Sequence, residues 1–313
     1  MKNYIIRQVL LIVPAIFLVS VIAFVMLRLL PTDAVDVYLT ANHLQHTEEN
    51  VQFVRAELGL DKPVISQYLY WAGGAHRFDF GNSYTLPQKT VNEMLWPAFL
   101  ATLELAGASA LWILLLTPLL GIAAAARPDG PMDAFSRAFC MLGTAVPAFV
   151  LGFFLIRLFG VDWKVLPVSG REGFSSLILP SFTLSVSHIA CFARMLRTEM
   201  LENSTRPYAL YASARGIAPR QIQNTHILKN SLMPIVNTLG FSFGRLIAGS
   251  VVVENVFSWP GLGKLVTWAI HARDFPVIQA YVLLVALVFI LANLVADILS
   301  ALADPRIRLG ANG

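Results

Sequence analysis

Apolar residues in this chain come in long unbroken runs and not in stripes of period 2 or 3.6, and the polar residues are gathered between the runs. Six runs approach the roughly 20 residues that cross about 30 Å of hydrocarbon. They cover 9–27, 100–126, 139–159, 177–193, 232–253 and 277–302. The fourth is the shortest and the most polar, with Ser181, Thr183, Ser185, Ser187 and His188 inside it. The pattern therefore predicts an all-α integral membrane protein with six transmembrane helices.

Loop charge sets the orientation. With the N-terminus inside, Lys2 and Arg7, then Arg127 and Arg137, then the cluster from Arg194 to Lys229, and finally Arg306 and Arg308 all fall on the cytoplasmic side, which predicts N-in and C-in. The segment 31–97 is then external, and it carries eight acidic against four basic side chains. Its patterning predicts a helix over 48–58 with apolar Val51, Val54 and Leu58, stopped by Gly59. Another begins at Pro63 and runs through Ile65, Tyr68, Leu69 and Trp71 to a stop at Gly73 and Gly74. The expected organisation is a first span over 1–30, an external helical segment over 31–98, a core of five spans over 99–303 containing a polar loop at 201–233, and a tail over 304–313. The apolar stretch of the first run exceeds a signal-peptide core and no A-x-A site follows it, so it is expected to remain as an anchor.

Composition agrees: 56% of residues are hydrophobic and 13% charged, where soluble domains carry roughly a quarter charged. Both cysteines, Cys140 and Cys191, lie within apolar runs, which excludes a disulfide framework and a cysteine metal cluster. The cluster Gly261, Leu262, Gly263, Lys264 fails as a phosphate loop, because position 258 is Ser and Leu265 stands where the metal-binding hydroxyl belongs. The chain is therefore expected to hold no nucleotide, no cofactor and no catalytic constellation of its own. His43 and His46 with Glu49 can chelate a metal, but no third histidine lies near and a solvated loop is the plainer reading.

Charges inside apolar runs cost about 2.5 kcal/mol or more unless they face a cavity or a partner. Glu104, Arg157, Arg245, Glu254 and Asp297 are such charges, and Arg157, Glu254 and Asp297 sit near run ends where snorkelling suffices. Arg245 stands farthest inside, flanked by Gly240, Gly244 and Gly249, where it can meet an anionic solute or pair with Glu104 or Asp297. His188, Cys191 and Met195 share a helix face and can be read as soft metal ligands or as core residues.

The loop 201–233 reads as a helix–glycine–helix unit: Arg206 and Pro207 open a helix through Ala214, Gly216 closes it, and Pro219 starts the next. Such a pair beneath a membrane can lie on anionic lipid, dock within the chain or receive a soluble partner. Tyr208, Ala212, Ala214, Gly216, His226, Leu228, Asn230, Leu232 and Pro234 resemble the Y…A-x-A-x-G…H-x-L-x-N-x-L-x-P pattern of the EAA loop in ABC importer permeases of the dipeptide, oligopeptide and nickel branch. The resemblance extends to R-x-x-L-L-I-x-P at 7–14, L-G-L-D-K-P at 58–63 with Gln67 and Tyr68, F-D-F-G at 78–81, A-T-L-E-L-A at 101–106, E-N-V-F-S-W-P-G-L-G at 254–263, R-D-F-P at 273–276 and D-P-R-I-R at 304–308. The acidic residue that names the loop elsewhere would fall near Leu210, and this branch also lacks it. Arg245 stands where the family would place an uncharged or acidic residue.

The resemblance implies a type I ABC importer permease in the bacterial inner membrane, not itself an enzyme. It implies as partners a second homologous permease subunit, two ABC ATPase subunits that carry ATP and Mg, an external solute-binding protein and membrane lipid, with no nucleic acid. Tyr208, Tyr211, Ala212, Ala214, Arg215 and Gly216 would then contact an ATPase, while Arg245, His188, Met195 and Glu104 are candidates for the pore. The segment 32–39 and the H-I-L-K-N block resemble the nickel branch more than the peptide branch, so nickel or a nickel chelate is the expected solute and peptide the alternative. A secondary transporter would want inverted halves and midplane acids, which the sequence lacks; a membrane scaffold is the remaining alternative.

Overall fold

The structure is a computed structural model that describes residues 2–29 and 33–303, and their side chains except those of 2–9, 11, 236, 237, 239–241, 243 and 299–303. Lys2 and Arg7 therefore contribute backbone alone, and Arg306, Arg308 and the 304–308 motif lie outside the described residues. Among these residues the chain is helical, with one isolated bridge between Asn82 and Thr90. In order, the helices are α1 (Lys2–Arg28), α2 (Ala34–Ala41), α3 (Glu48–Glu57), α4 (Val64–His76), α5 (Val91–Ala126), α6 (Pro131–Ala145), α7 (Ala148–Leu155), α8 (Ser175–Ser204), α9 (Pro207–Ala214), α10 (Pro219–Gln221), α11 (Leu228–Val256), α12 (Leu262–Ala272) and α13 (Phe275–Ala303). The π-helical stretch Ile156–Asp162 prolongs α7, and another, Ile222–Ile227, joins α10 to α11.

Three described helices are long and apolar enough to cross a membrane: α5, α8 and α13 over Phe275–Ile298. The run 139–159, expected as one span, is instead two helices bent by 110°. Pro147 causes the break: it disfavours helical backbone at Val146, which is extended at φ −82, ψ 122. Runs 9–27 and 232–253 lie within α1 and α11, 27 and 29 residues long.

The chain divides into two compact units. In the unit built from Lys2–Thr102 and Pro260–Leu291, α2 and α3 close a small core of Val35, Leu39 and Val54, with Val51 and Leu58 packed against it. Asp33 caps α2 by accepting from the Val35 N–H, Thr47 caps α3 by accepting from the Asn50 N–H, and Gly59 takes φ +64 to end that second helix. The expected stop of α4 at Gly73 and Gly74 is not seen; the helix runs on to His76. Gly74 serves close approach, because a Cβ there would lie 2.8 Å from the Asp79 carbonyl oxygen where the chain folds back.

A second core in this unit joins Val91, Leu95 and Ala98 of α5 with Leu262 and Ala269 of α12 and Val277 and Leu284 of α13. Beside it, the R-D-F-P segment supplies a fully buried carboxylate, Asp274. Asp274 accepts from the Ser83 hydroxyl, the Thr85 hydroxyl at 2.6 Å, and the backbone N–H groups of Tyr84 and Thr85 at 3.3 and 3.2 Å. Four donors on one carboxylate make this motif a clasp for the 83–85 turn.

The other unit, Leu103–Trp259 with residues 292–303, is organised around α8. Small residues let neighbours approach it: a Cβ on Gly121 of α5 would meet Leu196 at 2.8 Å, and one on Gly143 of α6 would meet Ala190 at 3.0 Å. Hydroxyls add interhelical bonds, since Ser109 donates to the Ser181 carbonyl at 3.0 Å and the Trp112 indole N–H to the Ser181 hydroxyl at 3.1 Å. The serines and threonine that weakened the fourth run are thus mostly interior: Ser181, Thr183 and Ser185 are buried and their hydroxyls bond backbone carbonyls. At the other end of the contact, Asp133 of α6 has no exposed surface and accepts two bonds from Arg197 of α8, at 2.5 and 2.8 Å, and one from the Asp129 N–H at 2.9 Å.

Candidate functional site

Exposed side chains in this α8-centred unit fall into two kinds. Most of those of α5, α6 and α7, such as Leu111, Leu115, Met141, Phe153 and Phe154, are apolar and suit lipid. Apart from Ser175 and Ser204 at its two ends, the exposed positions of α8 are Ser187, Cys191, Arg194, Thr198 and Glu202, spaced by three or four residues so that they form one stripe along the helix. His188 and Met195 flank that stripe, partly buried. Polar groups at the surface of an otherwise buried apolar helix face water or another protein in preference to lipid.

Helix α11 packs on α8 and shows a similar stripe, Arg245, Ala248, Gly249, Val252 and Asn255, made of small and polar residues with one valine. Arg245 is exposed and within electrostatic reach of His188, so two sequence candidates are brought together. Glu104 is not brought to them: Arg171 holds it through a 2.5 Å ion pair, while the Arg171 guanidinium also lies over the Trp259 ring at 5.8 Å. Arg157 pairs with Asp162 at 3.0 Å, and buried Glu254 accepts from the Ser250 hydroxyl at 2.8 Å. Among the described residues no group of three or more His, Cys, Asp or Glu side chains is placed to hold a metal. Arg194, named from the sequence only as the start of the basic cluster, donates to the Cys140 carbonyl at 3.0 Å and ties α8 to α6; the i, i+4, i+7 spacing of Ser187, Cys191 and Arg194 was the available signal.

The 201–233 loop is the second part of the site. Helix α9 begins with Pro207 at its first turn and buries Ala209 and Ala212, leaving Leu210, Tyr211, Ser213, Ala214 and Arg215 exposed. Gly216 ends it at φ +78, a left-handed conformation with nothing within 4 Å of an added Cβ. The Arg215 guanidinium folds over the Tyr211 ring at 5.9 Å. Below, the Tyr208 hydroxyl donates to Asn203 Oδ1 at 2.9 Å, the Asn203 amide donates to the Ser231 hydroxyl at 3.2 Å and to the Glu199 carbonyl at 2.8 Å, and Ser231 donates to the Ile227 carbonyl at 2.9 Å. This chain of bonds anchors the short helix to the end of α8 and the start of α11. Sequence reasoning found Tyr208 and missed Asn203 and Ser231, whose roles depend on a contact between segments 28 residues apart. Tyr208→Phe is expected to weaken the anchor by about 1 kcal/mol. Faster amide hydrogen exchange over 207–214 in the purified assembly would report it, and unchanged exchange would show that Ala209 and Ala212 packing alone holds the helix.

The chain matches two family models: residues 118–309 match the binding-protein-dependent transport system inner membrane component, and residues 1–103 match the N-terminal membrane component of such systems. It is 36% identical over 308 residues to the glutathione transport system permease protein GsiC of Escherichia coli K12, covering 98% of this chain and 99% of that protein. It is 37% identical over 311 residues to the protein of the same name from Salmonella typhimurium, with the same coverage. Among solved structures, the MetNI methionine ABC transporter in an inward-facing conformation aligns with a TM-score of 0.55 at 19% identity, covering 68% of this chain and 98% of the transporter chain. That likeness is one of fold.

Proposed function

The chain belongs to the family of inner membrane components of binding-protein-dependent transport systems, and from that premise we propose that it forms half of the pore of an importer for small peptides such as glutathione. It is an ABC importer permease subunit. The observation that carries the solute class is the end-to-end likeness to glutathione permeases at 36–37% identity. The nickel expectation, drawn from 32–39 and the H-I-L-K-N block, has no support among these relatives and gives way to the peptide reading.

A second permease completes the pore along the polar stripes of α8 and α11, an external binding protein delivers the solute, and two ATPase subunits drive it. Exposed Leu210, Tyr211 and Arg215 on α9 form the contact with an ATPase, through packing and cation chemistry in place of the acidic residue found in other importers. ATP-driven closure of the ATPases moves α9 as a lever, and the Tyr208–Asn203–Ser231 bonds pass that motion to α8 and α11. Arg245 supplies a fixed cation for a peptide carboxylate, and His188 and Met195 border the same path.

Uptake by cells with and without this chain tests the assignment. Labelled glutathione or dipeptide uptake is expected to vanish without the chain and to be restored by it, with excess dipeptide competing and nickel not competing. In the same cells Arg245→Ala is expected to reduce uptake of anionic peptides more than that of neutral ones. Nickel uptake that depends on the chain, with no effect on peptides, would overturn the solute class.

A further inference from the structure

We infer that α4 lies within the bilayer against α1, as an interfacial helix whose exposed apolar side is covered by lipid. The sequence places it in the external helical segment over 31–98, and two of its properties conflict with life in water. From Pro63 to Ala75 the sequence has no Asp, Glu, Lys, Arg or His. Yet no residue of the helix is buried, and Ile65, Leu69 and Tyr70 are 74%, 63% and 86% exposed. A helix that carries no charge before its last residue and turns Val64, Ile65, Leu69 and Tyr70 outward belongs against a protein or a membrane and not in water, and of α4 only Ala75 packs against a core. At 13 residues it is about 20 Å long, too short to cross and suited to lie along a leaflet.

Its inner side shows where it sits. Tyr68 packs on Phe24 and Phe17 with ring centroids 5.5 and 6.4 Å apart, Trp71 packs on Phe24 at 6.0 Å, and the Tyr68 and Ser20 hydroxyls lie 2.8 Å apart. Arg28 closes α1, its guanidinium over the Phe24 ring at 5.1 Å and within electrostatic reach of Asp33 and Tyr84, which places the polar boundary at that end. Ser20 comes eight residues earlier, about 12 Å along the helix axis. The contacts of α4 are thus made below the charged end of α1, on its apolar length. Leu18, Ile22, Val25 and Met26 of α1 are exposed at the same level, so the two helices present one continuous apolar surface.

The flanks fit the same placement. Exposed Asp61 and Lys62 precede α4, and His76, Arg77 and Asp79 follow it, all able to reach headgroups while the uncharged length between them stays in the acyl boundary. A protein partner on the Ile65–Leu69 side would meet no charged group there, which favours lipid as the occupant.

The test uses nitroxide labels on Ile65→Cys and Leu69→Cys, separately, in a chain with Cys140 and Cys191 changed to Ser and assembled with its partners in proteoliposomes. Leu18→Cys on α1 calibrates lipid and Asp61→Cys calibrates water. Dissolved oxygen is expected to relax the Ile65 and Leu69 labels as it does Leu18, and a water-soluble nickel chelate several-fold less than at Asp61. Relaxation by the chelate equal to that at Asp61 would overturn the inference, and so would shielding from both reagents, which marks a protein cover. The readout is independent of the solute carried, so its failure leaves the peptide reading standing.

Discussion

Replacing Gly216 with valine is expected to abolish peptide uptake while the chain still assembles with its ATPases and ATP hydrolysis continues. Gly216 sits at φ +78 with free space around an added Cβ, so the effect arises in the backbone and not from a clash. A β-branched residue held in that region costs roughly 1–3 kcal/mol, which α9 can avoid by unwinding its last turn. Unwinding moves Tyr211 and Arg215, the groups proposed to touch the ATPase, and the lever loses its rigid end. Asparagine tolerates the left-handed region far better, so Gly216→Asn is expected to retain most uptake. Uptake in proteoliposomes measured beside ATP turnover decides the matter: full transport by the valine variant, or equal loss in both variants, would rule out a conformational role for this glycine.

The second large effect concerns stability. Asp133→Ala is expected to destabilise the protein by about 3–5 kcal/mol, because it leaves the Arg197 guanidinium partly buried without its carboxylate, and Asp133 itself has no exposed surface. The double change Asp133→Leu with Arg197→Met removes both charges at similar volume and is expected to recover most of the loss. Thermal midpoints of the detergent-purified assembly would show a large drop for the single variant and a small one for the double. Equally small drops in both would mean that helix packing at Gly143 and Gly121, and not the ion pair, fastens α6 and α5 to α8.

Much of the 201–233 loop was legible in sequence because its signals are local. Pro207 at the first turn, Gly216 just past the end and Pro219 at the next start mark boundaries through backbone preferences that need no distant partner. The same holds for Thr47 and Gly59 around α3. Where local signals misled, a contact had overridden them. Gly73 and Gly74 look like a helix stop, but Gly74 is there to let Asp79 approach; the run 139–159 looks continuous by hydropathy, which cannot register the bend at Val146 and Pro147.

The order of apolar runs, the basic loop and its glycine-punctuated helices follow from the linear chain, since solvent choice and backbone conformation depend on each residue and its near neighbours. Which polar residues of the fourth run are interior and which face outward is a different matter. Ser181, Thr183 and Ser185 have the same chemistry as Ser187, yet three are buried and one is exposed. Likewise Glu104 and Arg245, both charges in apolar runs, separate because Arg171 takes the first and α11 sets the second within electrostatic reach of His188. Burial and pairing are properties of the space between helices, fixed by how α5, α6 and α11 pack around α8, and no residue carries that information alone.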